Sequence, residues 1–471
     1  MHKLTSLFYE FSGISSPNIE VIPTSGSNRK YYRISKENVF LIGVHGESVE
    51  ENNAFISLSK HFHNIGLNVP EIYAVSEDRL YYIQQDLGDS ILFNLIEKGR
   101  LTGIFSKEEK ELLHKTIYKL AEFQVKAAQD LDFKVCYPLT EFNHRSVMWD
   151  LNYFKYNFLK TTGLEFSEDQ LENDFEKIAD VLLKVKTDTF MYRDFQSRNV
   201  IIYEGEPYFI DFQGGRKGPV YYDVASFLWQ AKANFSSELR DELIDTYITS
   251  LSRFQKVNIS EFKSNLKQFI LFRTLQVLGA YGFRGYFEKK PHFIQSVPFA
   301  LNNLSELLEE GFEEYPYLES LLNKMVNLKQ FADTQKRKLT VRIYSFAYKN
   351  GMPYDISGNG GGYVFDCRAI NNPGKFERYS KSTGLDEPVI KFLEDEGEMS
   401  KFLENIYPLI DNHVKRFIDR GFTDLMISFG CTGGQHRSVY AAQHVAEHIW
   451  NKFGIKISLV HREQNIEQEF K

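Results

Sequence analysis

The chain has 471 residues, 42% of them apolar and 15% aromatic, with a formal charge of −7 and three cysteines. That length predicts two or three domains with ample cores, and the composition excludes general disorder. The cysteines, Cys136, Cys367 and Cys431, show no paired spacing, which argues against a disulfide frame or zinc knuckle and fits a reducing cytoplasm.

The opening "MHKLTSLFYEFSG" lacks the basic-then-apolar pattern of a signal peptide. No apolar run reaches membrane-spanning length, so no membrane partner is expected. Charge is uneven. From Lys336 onward 19 basic residues face 17 acidic ones, and the preceding part carries 37 against 46. Neither part has the positive field of a dedicated nucleic-acid binder. An acidic front part that binds a polyphosphate must use metal ions and a local nest of donors instead.

Residues from about 20 to 95 read as strand-rich. "RKYYRIS", "NVFLIGV" and "RLYYIQQDLGD" are β-branched or aromatic runs, interrupted by helical spacing at Phe55, Leu58, Phe62 and Ile65. Ser106 with Glu109 forms a capping-box signature, and Leu113, Ile117, Leu120 and Phe123 follow at helical intervals. Helix then dominates to about 325, except for "NVIIYEGEPYFIDF", which reads as a hairpin across Glu204-Gly205-Glu206. The charged stretch "FADTQKRKL" reads as a linker. Beyond it come the strand "LTVRIYSFAY", the loop "SGNGGG", the strand "YVFDCRAI", a helical region from about 386 to 420, the strand "DLMISFG", a helix after Arg437 and a closing strand "KISLVHR". This alternation predicts a parallel or mixed α/β sheet.

In "YRDFQSRN", Asp194 and Asn199 stand five apart on a loop entering a strand, and Asp211 ends the returning strand. A three-residue loop centred on Gly205 sets Val200 opposite Ile210 and Asn199 opposite Asp211, so the last two side chains converge. Two oxygen ligands beside a further carboxylate suit Mg²⁺, leaving Asp194 to accept a hydroxyl proton. Taken singly, each residue is as well explained by a cap or a turn. The joint arrangement points to phosphoryl transfer. Asp150 in "MWDLNYF" is either a sugar contact or a solvated helix residue.

The segment "YRDFQSRNVII…FIDFQGGRKGPVYYDVASFL" resembles the catalytic segment of the aminoglycoside phosphotransferase-like kinases, and within them the bacterial anomeric amino-sugar kinases of the AmgK type. "SGSNRKYYRI", "DLGD" at Asp86 to Asp89 and "LGAYGFRGYFEKKPHFIQSVP" extend the likeness over most of residues 15 to 310. It implies a bilobal protein-kinase-like fold and an ATP- and Mg²⁺-dependent kinase acting on N-acetylglucosamine or N-acetylmuramate. Asp194 would be the base, Asn199 and Asp211 the metal ligands, and Asp223 a brace for the catalytic loop. Tyr192 stands where His is usual, and "VFLIGV" offers no lysine for the phosphates. Arg29 or Lys30 in the glycine-bearing loop would serve instead, and the small residues Ser25, Gly26 and Ser27 there either bring backbone N–H groups to the phosphates or form a polar hairpin turn.

Downstream, "LMISFGCTGGQHRSVYAAQHVAEHI" reads as strand, glycine-rich loop, then helix. Glycines let loop N–H groups point inward, the helix start adds positive potential, and Arg437 can grip two oxygens. Thr432 and Ser438 add hydroxyls. The spacing from Cys431 to Arg437 also fits the phosphate loop of cysteine-dependent phosphatases, in which the thiol is the nucleophile. His436 is a ligand contact or a buried histidine. His444 and His448 could mimic a metal pair, though one polar helix face explains them.

With "VRIYSFAYKNGMP", "YVFDCRAINNPG", "STGLDEPV" and "HRE", this region resembles the RapZ C-terminal domain over about 340 to 463. Those domains sense glucosamine-6-phosphate. Carried over, Asp366, Arg368, Thr383, Cys431, Thr432, Gly433, Gly434, His436, Arg437 and Ser438 would line a sugar-phosphate pocket, with Cys431 a loop-fitting residue. No G-x-x-x-x-G-K-[ST] occurs, so the RapZ P-loop domain is missing and RNA binding does not carry over.

The expected organisation is a kinase N-lobe at 1–95, a helical C-lobe at 96–330, a linker at 331–338 and a separate α/β domain at 339–471. The expected activity is an ATP- and Mg²⁺-dependent sugar kinase with a sugar-phosphate sensor or product site, acting alone or as an oligomer. The alternatives are a kinase-like binding module or adapter with little turnover, a bifunctional protein with a C-terminal phosphatase, or a regulatory RNA adapter.

Overall fold

A computed structural model describes residues 2–22, 29–328, 331, 339–357, 360–419 and 422–470. Ser25, Gly26, Ser27 and most of the linker lie outside the described residues. The chain divides into two compact units, Met1–Phe331 and Ala332–Lys471. No described helix is long and apolar enough to cross a membrane.

In the first unit, helix α1 (His2–Ser12) precedes strands β1 (Asn18–Ile22), β2 (Lys30–Lys36) and β3 (Val39–His45). Helix α2 (Val49–Asn64) and strands β4 (Ile72–Val75) and β5 (Tyr81–Gln85) follow. The strands form one antiparallel sheet in the order β1-β2-β3-β5-β4. One face packs on α1 through Leu4, Leu7, Phe8, Ile34, Leu41 and Ile83. The other joins the large core shared with α2 and the helical part. Helix α1 has no counterpart in the sequence reading.

The helical part includes α3 (Lys107–Ala127), α4 (His144–Asn157), α5 (Tyr221–Leu228) and α6 (Ile259–Gly282). The Ser106–Glu109 capping box forms at the start of α3, and Leu113, Ile117, Leu120 and Phe123 are buried. Short strands β6 (Thr189–Met191) and β9 (Arg216–Gly218) pair with each other, and β7 (Val200–Tyr203) pairs with β8 (Glu206–Phe209).

The hairpin register differs from the expectation by one residue. Val200 pairs with Phe209, not Ile210, because the turn is two residues, Glu204 and Gly205, both with left-handed φ of 51° and 78°. Such turns match the twist of the flanking strands.

The second unit holds β10 (Thr340–Ala347), β11 (Tyr363–Asp366), α7 (Glu387–Asp395) and α8 (Glu398–Asp419). After these come β12 (Asp424–Cys431), α9 (Arg437–Phe453), β13 (Lys456–His461) and β14 (Ile466–Phe470). The sheet order is β11-β12-β10-β13-β14, with the first four strands parallel and β14 antiparallel to β13. The sheet is mixed, and the chain closes on β14 rather than on β13. Its core runs from Val341 and Ile343 through Ile427 and Phe429 to Val445 and Ile449.

Candidate functional site

The loop after β6 carries Arg193 at a left-handed φ of 80° and then Asp194. Asp223, at the start of α5 and fully buried, accepts the N–H groups of Tyr192 at 2.7 Å and Arg193 at 2.8 Å. Gln124 donates to the same carboxylate at 2.7 Å. Burial pushes Asp223 up to about 7, against the pull of these donors. The Tyr192 hydroxyl donates to the Ile210 carbonyl, tying the loop to the end of β8.

Asn199 Nδ2 donates to the Asp194 carbonyl at 2.8 Å and lies 3.4 Å from Asp211 Oδ2. The two side chains meet although the register is shifted. Asn199 now pairs by its carbonyl with Ile210 N–H, and Asp211 leaves the strand with a left-handed φ of 69° that turns its carboxylate back. A non-glycine residue held there marks strain stored at a site. Burial raises the Asp211 carboxyl, Gln213 opposes this, and the Asp194 charge adds to the rise. A buried carboxylate beside a side-chain amide suits a divalent cation that keeps phosphate and water in its shell. Among the described residues no group of three or more His, Cys, Asp or Glu forms a closed metal cage.

Strand alternation separates the two basic candidates of the front loop. Arg29 is buried, donates to the Glu51 carbonyl at 3.2 Å and lies 3.4 Å from its carboxylate on α2. Its guanidinium stacks on Phe55 and interacts with the charge of Asp211. Lys30 is exposed on β2, one residue on, and so projects from the other face of the sheet. Of the two candidates for the phosphates, Arg29 is the one that interacts with Asp211. Arg33 on β2 pairs with Asp86 at 2.7 Å and Asp89 at 2.8 Å, which gives "DLGD" its role as a fastening.

Asp150 on α4 is not open to a ligand. Its two oxygens take the Arg193 guanidinium at 2.8 and 2.9 Å, and both groups are largely buried. Arg216 lies beside them, and burial together with the Arg193 charge pulls it down to about 10.

In the second unit, β12 delivers Cys431 to the mouth of α9. Its Sγ lies 3.1 Å from Ser438 Oγ and accepts the Gly434 N–H at 3.2 Å. Burial pushes the thiol up, but these donors and the Arg437 charge outweigh it, so the thiol is lowered. Gly434 has φ 64°, and a Cβ there would come within 2.8 Å of the Ala347 backbone nitrogen, so the close approach of the loop to β10 requires glycine. Thr432 and Gly433 are exposed at the loop tip.

Arg437 is held by the chain's own backbone. It is 4% exposed, and its Nη1 donates to the carbonyls of Arg368 at 2.9 Å and Ile370 at 2.7 Å. A buried guanidinium must be satisfied, and these carbonyls are the oxygens at hand. Its Nε is buried without an acceptor among the described residues. Arg437 therefore clips the segment after β11 to the loop through Nη1. Asp366 is occupied as well: Arg368 binds it at 2.7 and 3.0 Å and stacks on Tyr348 at 4.1 Å. Thr383 gives its N–H and hydroxyl to Asp386, at 2.6 and 3.0 Å.

His436 is 7% exposed and bonds the Tyr379 carbonyl at 3.0 Å, the buried alternative. His444 stacks on Tyr440 and bonds its carbonyl, whereas His448 bonds Asp411 at 2.8 Å, so the two do not act as a pair. Glu463 was not anticipated: it takes Ala347 N–H at 3.2 Å and Asn350 at 2.6 Å, and Gln464 holds the Gly434 carbonyl at 3.0 Å. The quoted "HRE" was the available signal.

Residues 18–256 match the phosphotransferase enzyme family, and residues 339–465 match the RapZ C-terminal domain. A nucleotide-binding protein of Geobacillus kaustophilus is 35% identical over 131 residues, 28% of this chain and 42% of that protein. One of Fervidobacterium nodosum is 31% identical over 175 residues, 34% of this chain and 60% of that protein. The chain thus spans about half the length of the curated relatives it matches. Among solved structures, choline kinase from Cryptosporidium parvum Iowa II is 13% identical with a TM-score of 0.48, covering 68% of this chain and 99% of that one. The gentamicin–APH(2")-IIa complex is 14% identical with a TM-score of 0.44, covering 67% and 98%.

Proposed function

Because this chain belongs to the phosphotransferase enzyme family, we propose that its first unit transfers the γ-phosphoryl group of ATP to a hydroxyl of an amino sugar, such as N-acetylglucosamine or N-acetylmuramate. The observation that carries this reading is the meeting of Asn199 and Asp211 beside Asp194 within the matched segment. Asp194 takes the acceptor hydroxyl proton as that oxygen attacks the γ-phosphorus and the bond to the β-bridging oxygen breaks, releasing ADP. Asn199 and Asp211 would hold Mg²⁺, which neutralises charge on the transferring group. Arg29, held by Glu51, would grip the phosphates in place of the lysine that β3 lacks. Asp223 and the Asp150–Arg193 pair keep the catalytic loop in place.

The test measures ATP consumption with Mg²⁺ over a panel of amino sugars, aminoglycosides and choline, with product identity by NMR. Turnover with an amino sugar, lost in Asp194→Asn, is expected. Turnover only with choline or an aminoglycoside would sink the amino-sugar assignment.

The second unit is proposed to bind a hexosamine phosphate at the loop from Cys431 to Ser438, as a sensor or a product site. The glycine-rich mouth of α9, the exposed Thr432 and Gly433 and the adjoining Arg368 support this. Thermal stabilisation by glucosamine-6-phosphate but not by glucosamine is the expected signature. A second reading, cysteine-dependent phosphoester cleavage, draws on the lowered thiol of Cys431. Phosphate release abolished by Cys431→Ser would favour it, and binding without release would end it.

A further inference from the structure

Asp194 has a partner that belongs to neither motif. Arg273 sits in the middle of α6, is 5% exposed, and places Nη2 3.6 Å from Asp194 Oδ1. Its other arms are tethered: Nε donates to Ser226 Oγ at 3.1 Å and Nη1 donates to Gln276. The guanidinium also lies over the Tyr222 ring, 5.5 Å from its centre. A buried guanidinium calls for an anionic partner. Asp223, the buried carboxylate that feels the Arg273 charge, is already filled by the N–H groups of Tyr192 and Arg193 and by Gln124. Asp194, by contrast, is 60% exposed, and among the described residues Arg273 is the side chain that pairs with its carboxylate.

Arg273 also lines a narrow cavity with Gln196, Ser226, Trp229, Thr274 and Tyr281. Its volume of about 30 Å³ has room for about two water-sized groups, so it accommodates one substituent and not a sugar ring. Arg273 therefore stands between the carboxylate and a small polar recess.

Resting on the phosphotransferase reading of Asp194, we propose that Arg273 is a positioning residue that fixes the Asp194 carboxylate for proton transfer from the acceptor. Two arms pinned to Ser226 and Gln276 leave Nη2 with one direction, and the carboxylate takes its orientation from that. An exposed carboxylate without this partner would sample several rotamers, and misplacement of a base by an ångström is costly in rate. Lysine keeps the charge but cannot reproduce the tethered fork.

The experiment uses the full chain with Mg-ATP and the amino sugar that the wild type phosphorylates. Arg273→Gln is expected to lower kcat by about 30- to 100-fold with the KM for ATP within about twofold of wild type. Arg273→Lys should lose about tenfold or less, and millimolar guanidinium should restore part of the activity of Arg273→Ala. The double variant Arg273→Gln/Asp194→Asn should be no slower than Asp194→Asn alone, because the two residues act as one unit. Wild-type kcat in Arg273→Gln would overturn the proposal. So would a loss that tracks a lowered Tm and a raised KM for ATP, is not rescued by Lys or guanidinium, and multiplies with Asp194→Asn. A wild type that phosphorylates nothing in an Asp194-dependent way sinks the reading of the site itself. An active, Asp194-dependent wild type beside an unaffected Arg273→Gln sinks only the role of Arg273.

Discussion

Asp223 Oδ2 lies 2.7 Å from the backbone nitrogen of Tyr192, while its other oxygen takes the next amide, so one buried carboxylate spans two consecutive N–H groups of the catalytic loop. Asp223→Asn presents an amide NH₂ to one of those donors. We expect a stability loss of about 1–3 kcal/mol, and a fall in kcat larger than any change in KM for ATP. Thermal unfolding and steady-state kinetics check both, and unchanged kinetics would remove Asp223 as the brace.

Asp150 and Arg193 form a bidentate pair with Asp150 only 6% exposed. Removing one partner strands a buried charge, so Asp150→Ala should cost about 3–5 kcal/mol. The Asp150→Ala/Arg193→Met double variant should recover part of that loss. A double-mutant cycle by denaturant unfolding measures the coupling, and simple additivity would show that the pair is not one unit.

His461 is fully buried, with Nδ1 2.9 Å from Ser345 Oγ and Nε2 3.2 Å from Gln443 Oε1. Burial pulls it down to about 4. Unfolding frees the ring to take a proton at an ordinary pKa of about 6.5, so the unfolded chain binds more protons between those values. Stability of the second unit should be full above pH 6.5 and fall by up to about 3 kcal/mol as pH drops towards 4. Calorimetry of the full chain at pH 7 and pH 5, with His461→Gln losing much of the dependence, is the check.

Three cysteines give an internal comparison. Burial raises Cys136 to about 12 and raises Cys367 as well, whereas Cys431 is lowered by Ser438, Gly434 and Arg437 against its burial. Iodoacetamide at pH 8 should label Cys431 first, and glucosamine-6-phosphate should slow that labelling. Peptide mass spectrometry over time resolves the order. Earlier labelling of Cys136 would argue against an electropositive loop.

Much of this architecture was legible because its signals are local. The Ser106–Glu109 capping box, the apolar spacing along α3 and the strand–glycine–helix pattern at Cys431 each depend on neighbours in sequence. The hairpin was legible as a hairpin, but its register was not. A turn of two or three residues turns on whether Glu204 accepts a left-handed φ, and composition does not settle that. Asn199 and Asp211 still converge, through the left-handed φ of Asp211 rather than through strand pairing. Lys30 was separable from Arg29 only once β2 had a defined face. Long-range contacts stayed hidden: Arg193 with Asp150 and Arg273 with Asp194 are 43 and 79 positions apart in sequence. Arg437 was assigned to a ligand because a guanidinium at a helix mouth can serve an anion. In the folded chain two main-chain oxygens hold its Nη1.

That clip has a thermodynamic corollary. An incoming anion that recruits Arg437 Nη1 must first evict the carbonyls of Arg368 and Ile370, so filling the loop and ordering residues 367–371 are opposed, linked equilibria. Stiffening that stretch would weaken such a ligand by the same free energy with which the ligand loosens it. Occupancy of the loop by such a ligand would then be read in the order of residues 367–371.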